Sequence, residues 1–155
     1  MNLKKAFLVL FGFAFLLSSA FVAPEDNRTF IHNWLNKYYD KDGQAEVLKQ
    51  YELKVTNSGF CRYRKVYANG KEEFFSFNLS RFSTMNYYGN TTSGELWLRT
   101  KSDDVIVQTR RDKQGDVDSM ATYVAIPLKN VDEDKLNELA SHFRQMAQNN
   151  LVVNR

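Results

Sequence analysis

Two stretches of helical spacing enclose a long middle in which apolar residues recur at every second position. Over about residues 27–40, Phe30, Ile31, Trp34, Leu35, Tyr38 and Tyr39 fall on one wide stripe of period 3.6. Asp26 or Asn27 suits the cap of this helix, and Gly43 in YDKDGQ ends it. So many large aromatics on one stripe predict a helix lying over the face or the mouth of a sheet.

Over about residues 47–127 the period is two. In QYELKVTN, Tyr51, Leu53 and Val55 point one way and Glu52, Lys54 and Thr56 the other. FCRYRKVY follows, then Asn69-Gly70, which suits a two-residue hairpin turn because both positions tolerate positive φ. EEFFSFNL puts Phe75, Phe77 and Leu79 on one face. FSTMNYY is a weaker strand, GNTTSG a loop, and ELWLRT places Leu96 and Leu98 inward with Glu95, Trp97 and Arg99 outward. VIVQTRR and SMATYVAIPL complete seven candidate strands, with RRDKQGDVDS as the loop between the last two.

A second helix is expected over about residues 133–148, with Leu136, Leu139, Ala140, Phe143, Met146 and Ala147 as its buried stripe. Asp132 is its cap, Glu133 and Asp134 suit the positive end of its dipole, and Val131 packs on Leu136 as a staple. QNNLVVNR reads as a fraying tail in which Leu151 is placed to continue the stripe. The fold class is therefore α+β. An N-terminal amphipathic helix precedes about seven antiparallel strands, which form a curved sheet or split barrel, and a C-terminal amphipathic helix follows.

From about Val47 to Gln148 this order resembles the pleckstrin-homology-like split barrel. FFSFNLSRFSTMNYY stands where a third strand leads into a fourth, and VAIPLKNVDEDKLNELASHFRQM where the last strand runs into the helix. The resemblance is one of pattern, carried by no motif. It implies two packed antiparallel sheets of four and three strands, with the C-terminal helix plugging one open end. A helix-grip fold and a lipocalin-like barrel are the rival architectures.

The first twenty residues stand apart. MNLKK is basic, AFLVLFGFAFLLSSA is apolar and shorter than a comfortable membrane span, and Ser18 and Ala20 suit the −3 and −1 positions of a signal-peptidase site. Residues 1–20 read as a cleaved export signal and residues 21–155 as one globular domain, so the expected location is periplasmic or extracellular. Removing Lys4 and Lys5 takes the formal charge from +3 to +1. So small a charge gives no footprint for nucleic acid. The single cysteine, Cys61, lies in a strand and reads as a buried thiol. Sequons at Asn27, Asn78 and Asn90 matter only in a glycosylating host.

Catalytic signatures are sparse. His32 and His142 lie one on each helix, with no H-E-x-x-H, G-x-S-x-G or paired cysteine pattern. Asp112, Asp116 and Asp118 look at first like a cation loop. Their spacing fails the EF-hand pattern, because Gly115 precedes two of the acids and no closing glutamate follows. They read as turn residues, and no metal or cofactor is expected. Trp97, Arg99, Arg110, Arg64 and Tyr123 fall on outward positions of strands taken as neighbours. Aromatic and arginine side chains together are the composition of a protein or glycan contact patch.

The expected function is a non-catalytic exported binding or interaction domain, with a peptide, a protein or a cell-envelope component as partner. One alternative is a carrier of a small apolar molecule in a cavity lined by Phe75, Phe77, Leu79, Met85, Leu96 and Leu98. The other is an enzyme of unassigned chemistry.

Overall fold

The computed structural model describes residues 26–43, 45–56 and 58–153. The expected export signal, residues 1–20, lies outside the described residues. No helix among the described residues is long and apolar enough to cross a membrane.

The architecture is α+β, and among the described residues one helix stands at each end of eight antiparallel strands. Helix α1 (Asn27–Tyr38) is followed by β1 (Leu48–Val55), β2 (Phe60–Tyr67), β3 (Glu72–Asn78), a 3-10 turn (Leu79–Arg81), β4 (Phe82–Gly89), β5 (Ser93–Thr100), β6 (Val105–Arg110), β7 (Val117–Ala121), β8 (Tyr123–Lys129) and helix α2 (Glu133–Val153). One sheet has five strands in the order β1-β2-β3-β6-β7, and the other has three in the order β4-β5-β8. Neither closes into a barrel. The division is five and three, where the resemblance implied four and three, because β6 and β7 return to the first sheet beside β3.

Asp26 caps α1 through its Oδ1, which accepts from the backbone N–H groups of Arg28 and Thr29 at 2.9 and 3.1 Å. The helix stops at Tyr38, earlier than its stripe suggests. Tyr39 turns to extended backbone (φ −58, ψ 132) and makes a bridge to Leu128. Its ring stacks on Tyr51 at 3.7 Å, and its hydroxyl lies 2.7 Å from that of buried Tyr63. This departure from the helix ties β8 of one sheet to β1 and β2 of the other. Burial pushes the Tyr39 hydroxyl up to about 12, so the pair stays neutral.

The hairpin at Asn69-Gly70 is looser than a two-residue turn. Tyr67 N–H bonds Lys71 O at 2.9 Å, leaving Ala68, Asn69 and Gly70 in the loop, with Gly70 at φ +90. The expected last strand is in fact two. SMATYVAIPL breaks at Thr122, so β7 belongs to the five-stranded sheet and β8 to the three-stranded one. Val117 and Asp118, expected in the loop, form the start of β7, and only residues 111–116 turn. Helix α2 is capped by Asp132, whose Oδ1 accepts from Lys135 N–H at 3.0 Å, and its backbone continues to Val153, beyond the expected end.

The two sheets share one bent ribbon. β5 pairs with β8 as far as Arg99 opposite Tyr123, Thr100 N–H bonds Thr122 O at 2.9 Å, and pairing resumes with Val105 opposite Ala121. Residues 101–104 are extra on one side and make the bend. Thr100 is buried, with its Oγ1 2.7 Å from Ser102 O and 3.1 Å from Thr122 O. The bend is docked on the 3-10 turn, which carries the chain from β3 of the large sheet to β4 of the small one. Arg81 Nε donates to Asp104 Oδ1 at 2.9 Å, and Lys101 N–H donates to Arg81 O at 3.0 Å.

Buried side chains from both sheets and both helices meet in one core. Ile31 and Leu35 of α1, Leu53 and Phe77 of the large sheet, Leu96, Leu98 and Ile126 of the small sheet, and Leu139 and Phe143 of α2 are 0–2% exposed. Phe143 stacks on Phe82 at 5.2 Å. At the start of α1, Phe30 stacks on His142 at 3.7 Å, and His142 Nδ1–H donates to Asn27 Oδ1 at 2.6 Å, which joins the helices.

Thr100→Val keeps the shape of the bend and removes its hydroxyl. Stability should fall by about 1 kcal/mol, the usual net worth of one intramolecular hydrogen bond. A lower urea midpoint at unchanged slope is the expected reading; an unchanged midpoint would show that the bend does not rely on Thr100.

Candidate functional site

The side chains expected to form one patch lie on two sheets. Trp97 and Arg99 of β5 and Tyr123 of β8 share the outward face of the small sheet, opposite to Leu96 and Leu98. Arg64 of β2 and Arg110 of β6 belong to the large sheet. The separation follows from β6 pairing with β3: this places Arg110 beside Glu72, far in strand order from β5.

The small-sheet group is compact. Trp97 and Tyr123 stack nearly parallel, with centroids 4.1 Å apart and planes 9° apart. The Arg99 guanidinium lies over both rings, at 5.0 Å from Trp97 and 5.3 Å from Tyr123. Tyr88, half exposed at 51%, meets Trp97 edge-on at 4.8 Å. Hydrogen bonds fix the two most informative side chains. Trp97 Nε1–H donates to Glu95 Oε2 at 3.0 Å, and Arg99 Nε–H donates to Asn86 Oδ1 at 3.1 Å. The rings, the guanidinium and their polar anchors therefore form a set surface.

Tyr88, Asn86 and Glu95 were not among the expected site residues. Their signal lies in the β4–β5 hairpin, YYGNTTSGELW. Gly89 and Gly94 pair directly, and the register that follows sets Tyr88 against Glu95 and Asn86 against Trp97. The glycines are required there. A Cβ on Gly89 would come within 2.4 Å of Gly94 Cα, and one on Gly94 within 2.6 Å of Tyr88 O. Asn90 closes the loop, its Oδ1 accepting from Thr92 and Ser93 N–H at 2.8 and 3.1 Å.

A separate charge network lies on the large sheet. Lys65 of β2 is largely covered, with its ammonium 3.5 Å from Glu73. Burial pulls its pKa down, while Glu73 and, from the small sheet, Glu95 oppose that pull. Glu73 in turn accepts from the Tyr67 hydroxyl at 2.7 Å and pairs with Lys71 at 3.3 Å.

The two arginines left on the large sheet are engaged by acids. Among the described residues Glu72 is the one charged side chain that is buried, at 5% exposure. Arg64 donates to its Oε2 from Nε and Nη2, at 3.1 and 2.6 Å, and Arg111 Nη1 pairs with its Oε1. Arg111 stands at φ +56, in left-handed backbone that opens the β6–β7 turn. Arg110 pairs with Asp118 at 2.7 Å, and Gln108 donates to the same carboxylate. Asp112 Oδ1 accepts from Gln114 N–H at 2.9 Å, with Gly115 at φ +106 beyond it. Asp112 is therefore a turn residue and Asp118 a strand-pairing residue.

Cys61 sits between Val55 and Phe77 in the sheet, 3% exposed, and burial pushes its thiol up to about 12. A thiol held protonated in this way is a poor nucleophile. His32 lies on α1 with its Nδ1 3.4 Å from the Asn36 amide, which also donates to Leu53 O and joins α1 to β1. Of the sequon asparagines, Asn27 holds His142, Asn78 caps the 3-10 turn through Ser80 N–H, and Asn90 closes its loop. Set against protein-family models, curated proteins and solved structures, the chain matches none.

The clamp on Glu72 has a pH signature. The Arg64 hydrogen bonds, with Arg111 beside them, hold its carboxyl below the ordinary 4.5. A lowered acid favours the folded state above 4.5, and that share is lost as pH falls through the folded value. Melting temperatures between about pH 3 and pH 6 should therefore fall less steeply in Glu72→Gln than in the unmodified protein, from a lower starting point at pH 6. Identical slopes would show that Glu72 does not carry acid sensitivity.

Proposed function

We propose that the chain is an exported, non-catalytic binding domain that engages a peptide, a protein or a cell-envelope component through the Trp97 face of its small sheet. The observation that carries this reading is the Trp97–Tyr123 stack crossed by Arg99. Tryptophan, tyrosine and arginine are the side chains that dominate binding energy at interfaces, and here all three share one outward face with Tyr88 at its side. Their anchoring by Glu95 and Asn86 lowers the entropy lost on contact.

The state of the interior supports the same choice. A carrier needs a cavity against the proposed lining. Phe77, Leu79, Leu96 and Leu98 are 0–1% exposed, so no water-sized void lies against them. Phe75 and Met85 are partly buried and pack on the same core. The high thiol pKa of Cys61 and the engagement of His142 by Asn27 favour binding over nucleophilic catalysis. The split-barrel likeness enters only as architecture: two antiparallel sheets, with a C-terminal helix packed on the core.

The test is native mass spectrometry of the protein purified from its own host, alone and as Trp97→Ala. A co-purifying component should accompany the unmodified protein and fall by about thirtyfold or more in the variant, the scale of an interface hot spot. Equal recovery with both proteins, or a bare monomer from both, would overturn the assignment to this face. A retained small apolar molecule in both would favour a carrier.

A further inference from the structure

A second surface lies on the outer face of the large sheet, apart from the Trp97 patch. There Glu52, Lys54, Arg62, Arg64, Phe74, Ser76 and Gln108 border a groove of about 380 Å³. That volume is within the range of small-molecule sites, roughly 300–1,000 Å³. The pairing register explains how these residues meet. One row across the sheet runs Lys54, Arg62, Ser76; the next runs Glu52, Arg64, Phe74, Gln108.

The charges in this groove are unbalanced in a specific way. Lys54 and Arg62 stand directly opposite each other on β1 and β2. Like charges at such positions destabilise a sheet. Both are exposed, and neither has an acidic partner within ion-pair distance among the described residues. Arg64 is already held by Glu72, and among the described residues Glu52 is the only acid bordering the groove. Phe74, with the Arg64 guanidinium 5.5 Å from its ring centre, adds a partly exposed apolar wall, and Ser76 and Gln108 add neutral hydrogen-bonding groups. The Arg62 guanidinium also lies over the Phe60 ring, 5.8 Å from its centre. Two cations without acidic partners, facing one concavity with an aromatic wall, complement an anionic group carried on an apolar body.

We propose that this groove binds a small organic anion, with its carboxylate or phosphate between Lys54 and Arg62 and its apolar body against Phe74. The site is independent of the Trp97 face. The like-charge pair is then a cost to stability that a bound anion relieves, as is common where a surface serves binding.

Backbone amide NMR titrations of the protein test this with four probes: phenyl phosphate, phenylacetate, inorganic phosphate and benzyl alcohol. Phenyl phosphate and phenylacetate should give saturable shifts centred on Arg62, Phe74 and Ser76. Inorganic phosphate should bind the same residues more weakly, and benzyl alcohol should not bind. Arg62→Gln and Lys54→Gln should each weaken phenyl phosphate by about tenfold, the scale of one charge-assisted hydrogen bond. Both variants should melt no lower than the unmodified protein, since each removes the repulsion. Trp97→Ala should leave the titration unchanged. Benzyl alcohol binding as well as phenyl phosphate would overturn the role of the cations, and inorganic phosphate binding as tightly would overturn the role of Phe74. Shifts centred elsewhere, or insensitive to both charge variants, would overturn the site.

Discussion

The bend at Thr100 is the constraint on which the rest of the structure depends. A single antiparallel ribbon, residues 93–110 against 117–129, serves both sheets. Its β5–β8 half carries the small sheet, and its β6–β7 half completes the large one. Four extra residues, 101–104, redirect one side of the ribbon while Thr122 spans the other. Such an insertion leaves backbone groups without ladder partners, and buried backbone groups must be satisfied. Thr100 answers from inside the bend. Asp104 answers from the loop, through Ser102 N–H and the Arg81 guanidinium. Because Arg81 belongs to the 3-10 turn, the crossing from β3 to β4 is fastened to the paired crossings at the bend.

The two surfaces follow from that arrangement. On one half of the ribbon, alternation turns Leu96 and Leu98 into the core and leaves Trp97 and Arg99 outside, where Tyr123 of β8 meets them. On the other half, β6 is brought against β3, so Gln108 completes a row that begins at Glu52 and passes through Arg64 and Phe74. Each surface lies on paired strands, which hold side chains in place better than loops do. They differ in chemistry. The small-sheet face is aromatic and internally hydrogen-bonded, whereas the large-sheet groove holds charges that its neighbours leave unpaired.

Much of the fold was legible in local pattern. Both helices, their caps at Asp26 and Asp132, and the inward faces of the strands follow from periodicity, because each is decided within a few residues. The partition of strands was not legible. A run such as SMATYVAIPL keeps its alternation through Thr122, and only the register of distant partners shows that the chain changes sheets there. Arg64 and Arg110 parted from Trp97 for the same reason. Side-chain parity along a strand says which face a residue takes, but not which sheet it joins. The early stop of α1 at Tyr38 is likewise a tertiary effect, since the partners that draw Tyr39 away are Tyr51, Tyr63 and Leu128. Asp112 of RRDKQGDVDS was legible as turn chemistry, while the place of Asp118 in β7 required the β6–β7 pairing and the reach of Arg111 back to Glu72 the β3–β6 pairing.

If the shared ribbon joins the sheets into one unit, they cannot open separately. Native-state hydrogen exchange measures this directly, because it gives an opening free energy for each protected amide. Leu98 and Ile126 report on the small sheet, and Phe75 and Val107 on the large one. The account predicts a common opening free energy for these four, with the same dependence on added denaturant. An opening free energy for Leu98 and Ile126 well below that of Phe75 and Val107 would mean that the small sheet unfolds alone, and would contradict the claim that the bend at Thr100 holds both surfaces in one rigid frame.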